Sequence, residues 1–447
     1  MTDLLEIASR VAGWANNGEQ IEAFVVHQRE TEVRAYEGEV ESLTSAESQG
    51  IGVRVIAGGK QGYAYAGTLE GDAMEETLRE ARDNAGFAES DKFNGVAEPD
   101  GVAPADLHLY REELVSFPTD DKVALAIELE RATRAADPRI AGIESAEYID
   151  TLYESAVATS TGIASVTRET GCYLATYALA EADGETQTGF GFSIGREPGE
   201  LDPAVAAKDA AERATRLLGA TKPATERLTV VLDPWVTAQL LGIIGHTLTG
   251  EAVLKGRSLF ADRLGEEVAN TAITLVDDAT DPAAFTASMV DGEGLAIRST
   301  ALISDGVLTG FLHNSYSGRR SGTSSTGSAA RAGFKSAPGV GAHALALGAG
   351  DRSQADLIAD IGDGFLVQGV TGLHSGVNPV SGDFSTGAEG LRIRNGEVAE
   401  PIREVTIAST LQRLLQDVVA IGSDTEWLPM NAAGVTLVVA DVTMSGV

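Results

Sequence analysis

The chain has 447 residues, 43% of them hydrophobic and 51 of them glycine, enough for two or three domains with real cores and many turns. A formal charge of −33 repels phosphate backbones and so disfavours direct nucleic-acid binding, and no apolar run reaches the roughly 18 residues that a membrane helix needs. With Cys172 as the single cysteine no intrachain disulfide can form, and the start Met1-Thr-Asp-Leu4 has no basic leader, so a cytoplasmic location is expected.

Apolar positions at Leu4, Ile7, Ala8, Val11 and Trp14 recur at helical spacing and predict a helix over 3–16. Strand-like runs follow at 22–28, 31–36 and 50–56. The last is joined through Ala57-Gly-Gly-Lys60 to a partner at 62–67. A helix over 72–85 and an aperiodic connector over 91–107 come next. A helix over 120–136 opens a second unit, with strands at 145–149, 152–158 and 165–169. Runs 171–180 and 187–194 form a hairpin around Asp183-Gly184, and a helix covers 202–218. This second series echoes the first. Gly50 corresponds to Gly171, Gly62-Tyr-Ala-Tyr65 to Gly189-Phe-Gly-Phe192, and helix 72–85 to helix 202–218. The expectation is an internal duplication, 20–87 and 142–219, within an N-terminal region spanning 1–222.

From Leu228 onward strands dominate. Asp305-Gly306 and Asn395-Gly396 mark hairpin turns, and the latter is the strongest short hairpin signal in the chain. Residues 317–333, rich in Ser, Gly and Thr, are expected to be a mobile loop. A helix near 410–420 interrupts the strands, and 434–442 closes the chain as a buried strand. The predicted class is α+β: a duplicated antiparallel-sheet-plus-helix region, then a β-rich, barrel-like C-terminal domain over 223–447.

Three segments carry candidate chemistry. Asp233 is placed to cap a helix starting at Pro234 and running through Leu241-Gly-Ile-Ile-Gly-His246. Gly191-Phe-Ser193-Ile-Gly195 matches the nucleophile-elbow string, but Ser193 sits at the end of an alternating strand rather than on a strand-to-helix turn. Cys172 has no local base and reads as a structural thiol. In Gly372-Leu-His374 through Gly382-Asp383-Phe384, glycines beside polar residues let a backbone approach a ligand closely.

The joint order of several short motifs resembles the TldD/PmbA family, whose older label is modulator of DNA gyrase. They are Ala35-Tyr-Glu-Gly-Glu-Val40, Gly50-Ile-Gly-Val-Arg-Val55, Val276-Asp-Asp278, Asp291-Gly-Glu-Gly294, Leu302 to Phe311, Gly387-Ala-Glu-Gly-Leu391 and Ile421-Gly422. The resemblance implies a zinc-dependent peptidase built from two related subunits. The TldD-like subunit holds zinc through a His-Glu-x-x-x-His helix and a later cysteine. Here Leu241 stands where the first His belongs, Gly242 where the Glu belongs, only His246 remains, and no cysteine follows Cys172. Zinc needs lone-pair donors and hydrolysis needs a base beside the bound water. The chain therefore resembles the PmbA, or TldE, type, with no metal, cofactor or catalytic residue of its own and zinc in the partner. Its expected partners are a TldD-like subunit, or a second copy in a homodimer, and a peptide substrate. His246, His374 and Asp383 are the candidates for a shared substrate channel; nothing in their spacing requires them to be a rebuilt metal site. A homo-oligomeric hydrolase with a divergent metal site and a non-catalytic scaffolding protein are the alternatives.

Overall fold

The computed structural model describes residues 3–447. Six antiparallel strands form the N-terminal sheet: β1 (Glu19–Tyr36), β2 (Glu39–Ala57), β3 (Lys60–Ala66), β4 (Ile140–Thr159), β5 (Ala164–Ala182) and β6 (Glu185–Gly195). Their order in space is β3-β2-β1-β4-β5-β6. Helices α1 (Leu4–Ala12) and α2 (Gly71–Phe87) flank the first three strands in sequence. Helices α3 (Thr119–Ala136) and α4 (Pro203–Thr215) flank the last three, so the order helix, three strands, helix occurs twice.

Strand periodicity decides what each face touches, because alternate side chains point to opposite faces. In β1, Ile21, Ala23 and Val25 join the core formed with Leu4, Val11, Met74 and Leu78 of the helices. Phe24 and Val26 face the other way and pack with Val157, Leu295 and Phe334. The sheet is thus helix-covered on one side and docked on the C-terminal half on the other.

That half is built on a closed five-stranded barrel of β7 (Glu226–Leu232), β8 (Asp363–Thr371), β9 (Asp383–Arg394), β10 (Glu397–Thr410) and β11 (Leu437–Ser445). Neighbours run β10-β9-β8-β7-β11, and β11 returns to β10 through Ile407 opposite Met444. Only β7 and β8 are parallel within it. Alternation again sorts the residues. Val230, Leu232, Phe365, Val367, Ile407 and Val439 belong to the main core, whereas Val231, Leu366 and Val438 turn outward onto Leu357 and Ile358. Among the described residues no helix is long and apolar enough to cross a membrane.

Several sequence expectations change. The runs at 22–28 and 31–36 are one strand, and β2 begins at Glu39 rather than Gly50. Residues 39–49 of β2 are exposed, so they carry no burial pattern to read. The segment 317–333 is not loop throughout. It begins within helix α6 (Ser315–Ser321), after Asn314 accepts from the Ser317 N–H in a capping box, and both Ser317 and Ser328 are buried. The helix near 410–420 is shorter, Leu411–Gln416, and gives way to a strand at Val418–Ile421.

Candidate functional site

The helix α5 (Pro234–Thr247) follows β7 and closes onto the barrel core. Asp233 caps it by accepting a hydrogen bond from the Trp235 N–H at 3.2 Å, and Pro234 occupies the first turn, where its missing N–H costs nothing. Leu240, Leu241 and Ile244 point inward, with Leu241 only 2% exposed. Gly245 is a close-approach position: a Cβ there would overlap the Leu345 side chain. Gly242 is more open, since a Cβ would meet only Asn431 Oδ1 at 3.5 Å.

Residues five apart on an α-helix differ by about 140° in direction. With Leu241 turned into the core, His246 therefore emerges exposed near the helix end. Here one position packs into the core and the other faces solvent. An isobutyl group and a bare glycine offer no lone pair and no base, so the residues present do not fit a zinc ion. Among the described residues, no three His, Cys, Asp or Glu side chains converge so as to hold a metal ion.

His374 lies exposed on a one-turn helix, Leu373–Gly376, entered through Gly372 at φ +76°. Asp383 is the exposed first residue of β9 and accepts a hydrogen bond from Ser381 Oγ at 2.7 Å. Leu373 and Val377 anchor this segment to the barrel core. Because β7 and β8 run parallel, with Leu232 beside Val367, α5 and the 372–382 segment leave the barrel at the same end. Ser193 is inside β6, where its Oγ accepts from the Asp202 N–H. Cys172 is fully buried; burial, and then the Asp150 carboxylate, push its thiol up to about 12.

Sequence reading missed the joint between the two halves. Arg54 of β2 is buried and donates to Glu22 of β1 at 2.5 Å and to Glu293 of the C-terminal half at 3.2 Å. Arg331 pairs with the same Glu22. Burial opposes the Glu22 charge, but the Arg331 and Arg54 guanidiniums outweigh it and hold the carboxyl below its ordinary value. The signal was a lone charge inside each apolar run, Glu22 after Ile21 and Arg54 between Val53 and Val55. The Asp291-Gly-Glu-Gly motif also proves architectural. Asp291 accepts from the N–H groups of Glu293, Leu295 and Ala329, while burial and the Glu293 carboxylate push it up to about 7.

Known proteins match this chain along its length. Three domain models match in order: PmbA/TldA metallopeptidase domain 1 over 21–85, the central domain over 112–218 and the C-terminal domain over 225–446. Metalloprotease PmbA of Escherichia coli O157:H7 is 28% identical over 392 residues, covering 87% of this chain and 84% of that one. A metalloprotease TldD homologue of Haemophilus influenzae is 25% identical over 391 residues, covering 85% and 80%. Among solved structures, TldE of Thermococcus kodakarensis has a TM-score of 0.86 at 23% identity, covering 96% of this chain and 97% of that one. A Thermotoga maritima protein described as a modulator of a DNA gyrase has a TM-score of 0.89 at 24% identity, covering 98% and 99%. At those identities the structures speak for a shared fold alone. Domain order, length and relatives agree, and the chain belongs to the PmbA/TldD metallopeptidase family.

Proposed function

We propose that this chain is the PmbA/TldE-type subunit of a heteromeric zinc peptidase, and that it shapes the peptide path while a TldD-like partner supplies the metal. One observation carries the reading: at the positions where the family motif places a ligand and a base, this helix has a core-packed Leu241 and a side-chain-free Gly242. Losing both lone-pair donors removes the means of holding zinc and of deprotonating its water. The similarity to both PmbA-named and TldD-named metalloproteases is consistent with descent from a common subunit. His246, His374 and Asp383, all exposed, are proposed to face the partner's cavity, where an extended peptide can gain main-chain hydrogen bonds at a sheet edge.

The test is co-expression with a family member from the same source that carries His-Glu-x-x-x-His. The expected result is a stable complex that cleaves an unstructured peptide and loses activity on chelation, with this chain alone inert. Cleavage by this chain alone at the rate of the mixture would overturn the proposal.

A further inference from the structure

A polar cavity of about 150 Å³ lies where β4 and β5 meet the C-terminal half, walled in part by Tyr153, Glu169, Ser288, Asp291, Arg331 and His343. A second cavity of about 220 Å³ shares Tyr153 and Glu169 with it. That one shares Tyr173 and Phe285 with an aromatic groove beside Phe190, Phe192 and Trp235. The three spaces pass from apolar to polar along the sheet.

Hydrogen-bond accounting tells which ligand group suits the polar end. Glu169 accepts one bond, from Ser288 Oγ at 2.9 Å. Neither neighbouring guanidinium donates to it. Arg331 is committed to the carbonyls of Gly292 and Ser336 and to Glu22. Arg196 donates to the carbonyls of Thr170, Ala284 and Phe285. Asp291 has its three backbone donors already. His343 Nε2 is buried and has no hydrogen-bond partner among the described residues. Burial lowers the His343 pKa and keeps the ring neutral. A neutral imidazole carries one lone pair, which an Nε2 without a partner can offer to a ligand. The cavity therefore offers a carboxylate with room for further bonds and an imidazole nitrogen without a partner, beside the hydroxyls of Tyr153, Ser155 and Thr167.

We propose that this cavity binds a primary ammonium group, from a peptide amino terminus or a small alkylamine, between Glu169 and His343. An ammonium brings three donors, and its bond to a carboxylate is charge-assisted. Apolar parts of the ligand would run outward over Tyr173 and Phe285. Every residue involved belongs to this chain, so the site stands whether or not the subunit reading does.

Isothermal titration calorimetry on the full chain tests it, with three probes: the tripeptide amide Ala-Leu-Phe, its N-acetylated form and n-butylamine. The free tripeptide is expected to bind at least about tenfold more tightly than the acetylated one, and Glu169→Gln to weaken it about tenfold. Binding of butylamine as well would mean that the ammonium alone suffices. Binding of the tripeptide without butylamine would mark the peptide amino terminus as the source. Equal binding of the acetylated and free tripeptides, no binding of either free amine, or unchanged affinity in a folded Glu169→Gln variant would overturn the proposal. Should Glu169→Gln fail to fold, the acetylation comparison on the unaltered chain decides.

Discussion

Leu241 and Glu22 show how a single residue can be read twice, once for what it is and once for what surrounds it. Leu241 belongs to the barrel core, so Leu241→Ala is expected to cost about 2–5 kcal/mol in urea denaturation. A cost near zero would mean that the helix does not seat there. Glu22 is different because its contribution depends on ionisation. Its folded pKa lies below the ordinary 4.5, so its stabilising effect is complete above that value and is lost as pH falls through the depressed folded pKa. The stability difference between the unaltered chain and Glu22→Gln should therefore be largest near neutrality and shrink on acidification. A difference that stays constant down to low pH would contradict the ion-pair assignment. Cys172, buried and with its thiol pushed up to about 12, should react with a thiol reagent only after unfolding; rapid native-state labelling would be the contrary result.

Elements were legible where burial or turn chemistry wrote a pattern into the sequence. The Asn395-Gly396, Asp305-Gly306 and Asp183-Gly184 turns all have both residues at positive φ, the conformation that favours these pairs in two-residue hairpins. Helices α2, α3 and α4 fell within a few residues of their expected bounds, because each buries one face. The exposed start of β2 and the buried serines of 317–333 went unread for opposite reasons. The first strand segment packs against nothing, and the second packs polar groups through hydrogen bonds that periodicity does not register. Gly62 of β3 and Gly189 of β6 illustrate packing that the sequence hinted at by repetition. A Cβ at Gly62 would overlap Ala81 of α2, and one at Gly189 would overlap Ala210 and Ala214 of α4. Gly62→Ala is thus expected to destabilise by about 1–3 kcal/mol through overpacking, read as a lowered midpoint in thermal unfolding. No change in the midpoint would show that the helix yields without cost.

For the whole molecule, the buried Glu22–Arg54–Glu293 group with Arg331 joins the N-terminal sheet to the C-terminal half. Removing Arg54 leaves the buried Glu293 without its guanidinium and Glu22 with Arg331 alone, so Arg54→Ala is expected to cost about 3–5 kcal/mol and to loosen the joint before either core melts. Two resolved transitions in calorimetry would show this; a single unshifted transition would not. The family motif was legible because it is local, whereas the joint and the cavities needed strands far apart in sequence to be brought together. In the reconstituted pair, His374→Ala or Asp383→Ala should slow peptide turnover, and full turnover in both would remove them from the substrate path. The most direct measurement remains the zinc content of this chain purified alone and dialysed against zinc-free buffer, determined by mass spectrometry of the metal. A core leucine and a glycine at the ligand positions lead us to expect far less than one zinc per chain. Stoichiometric zinc that survives dialysis would contradict it.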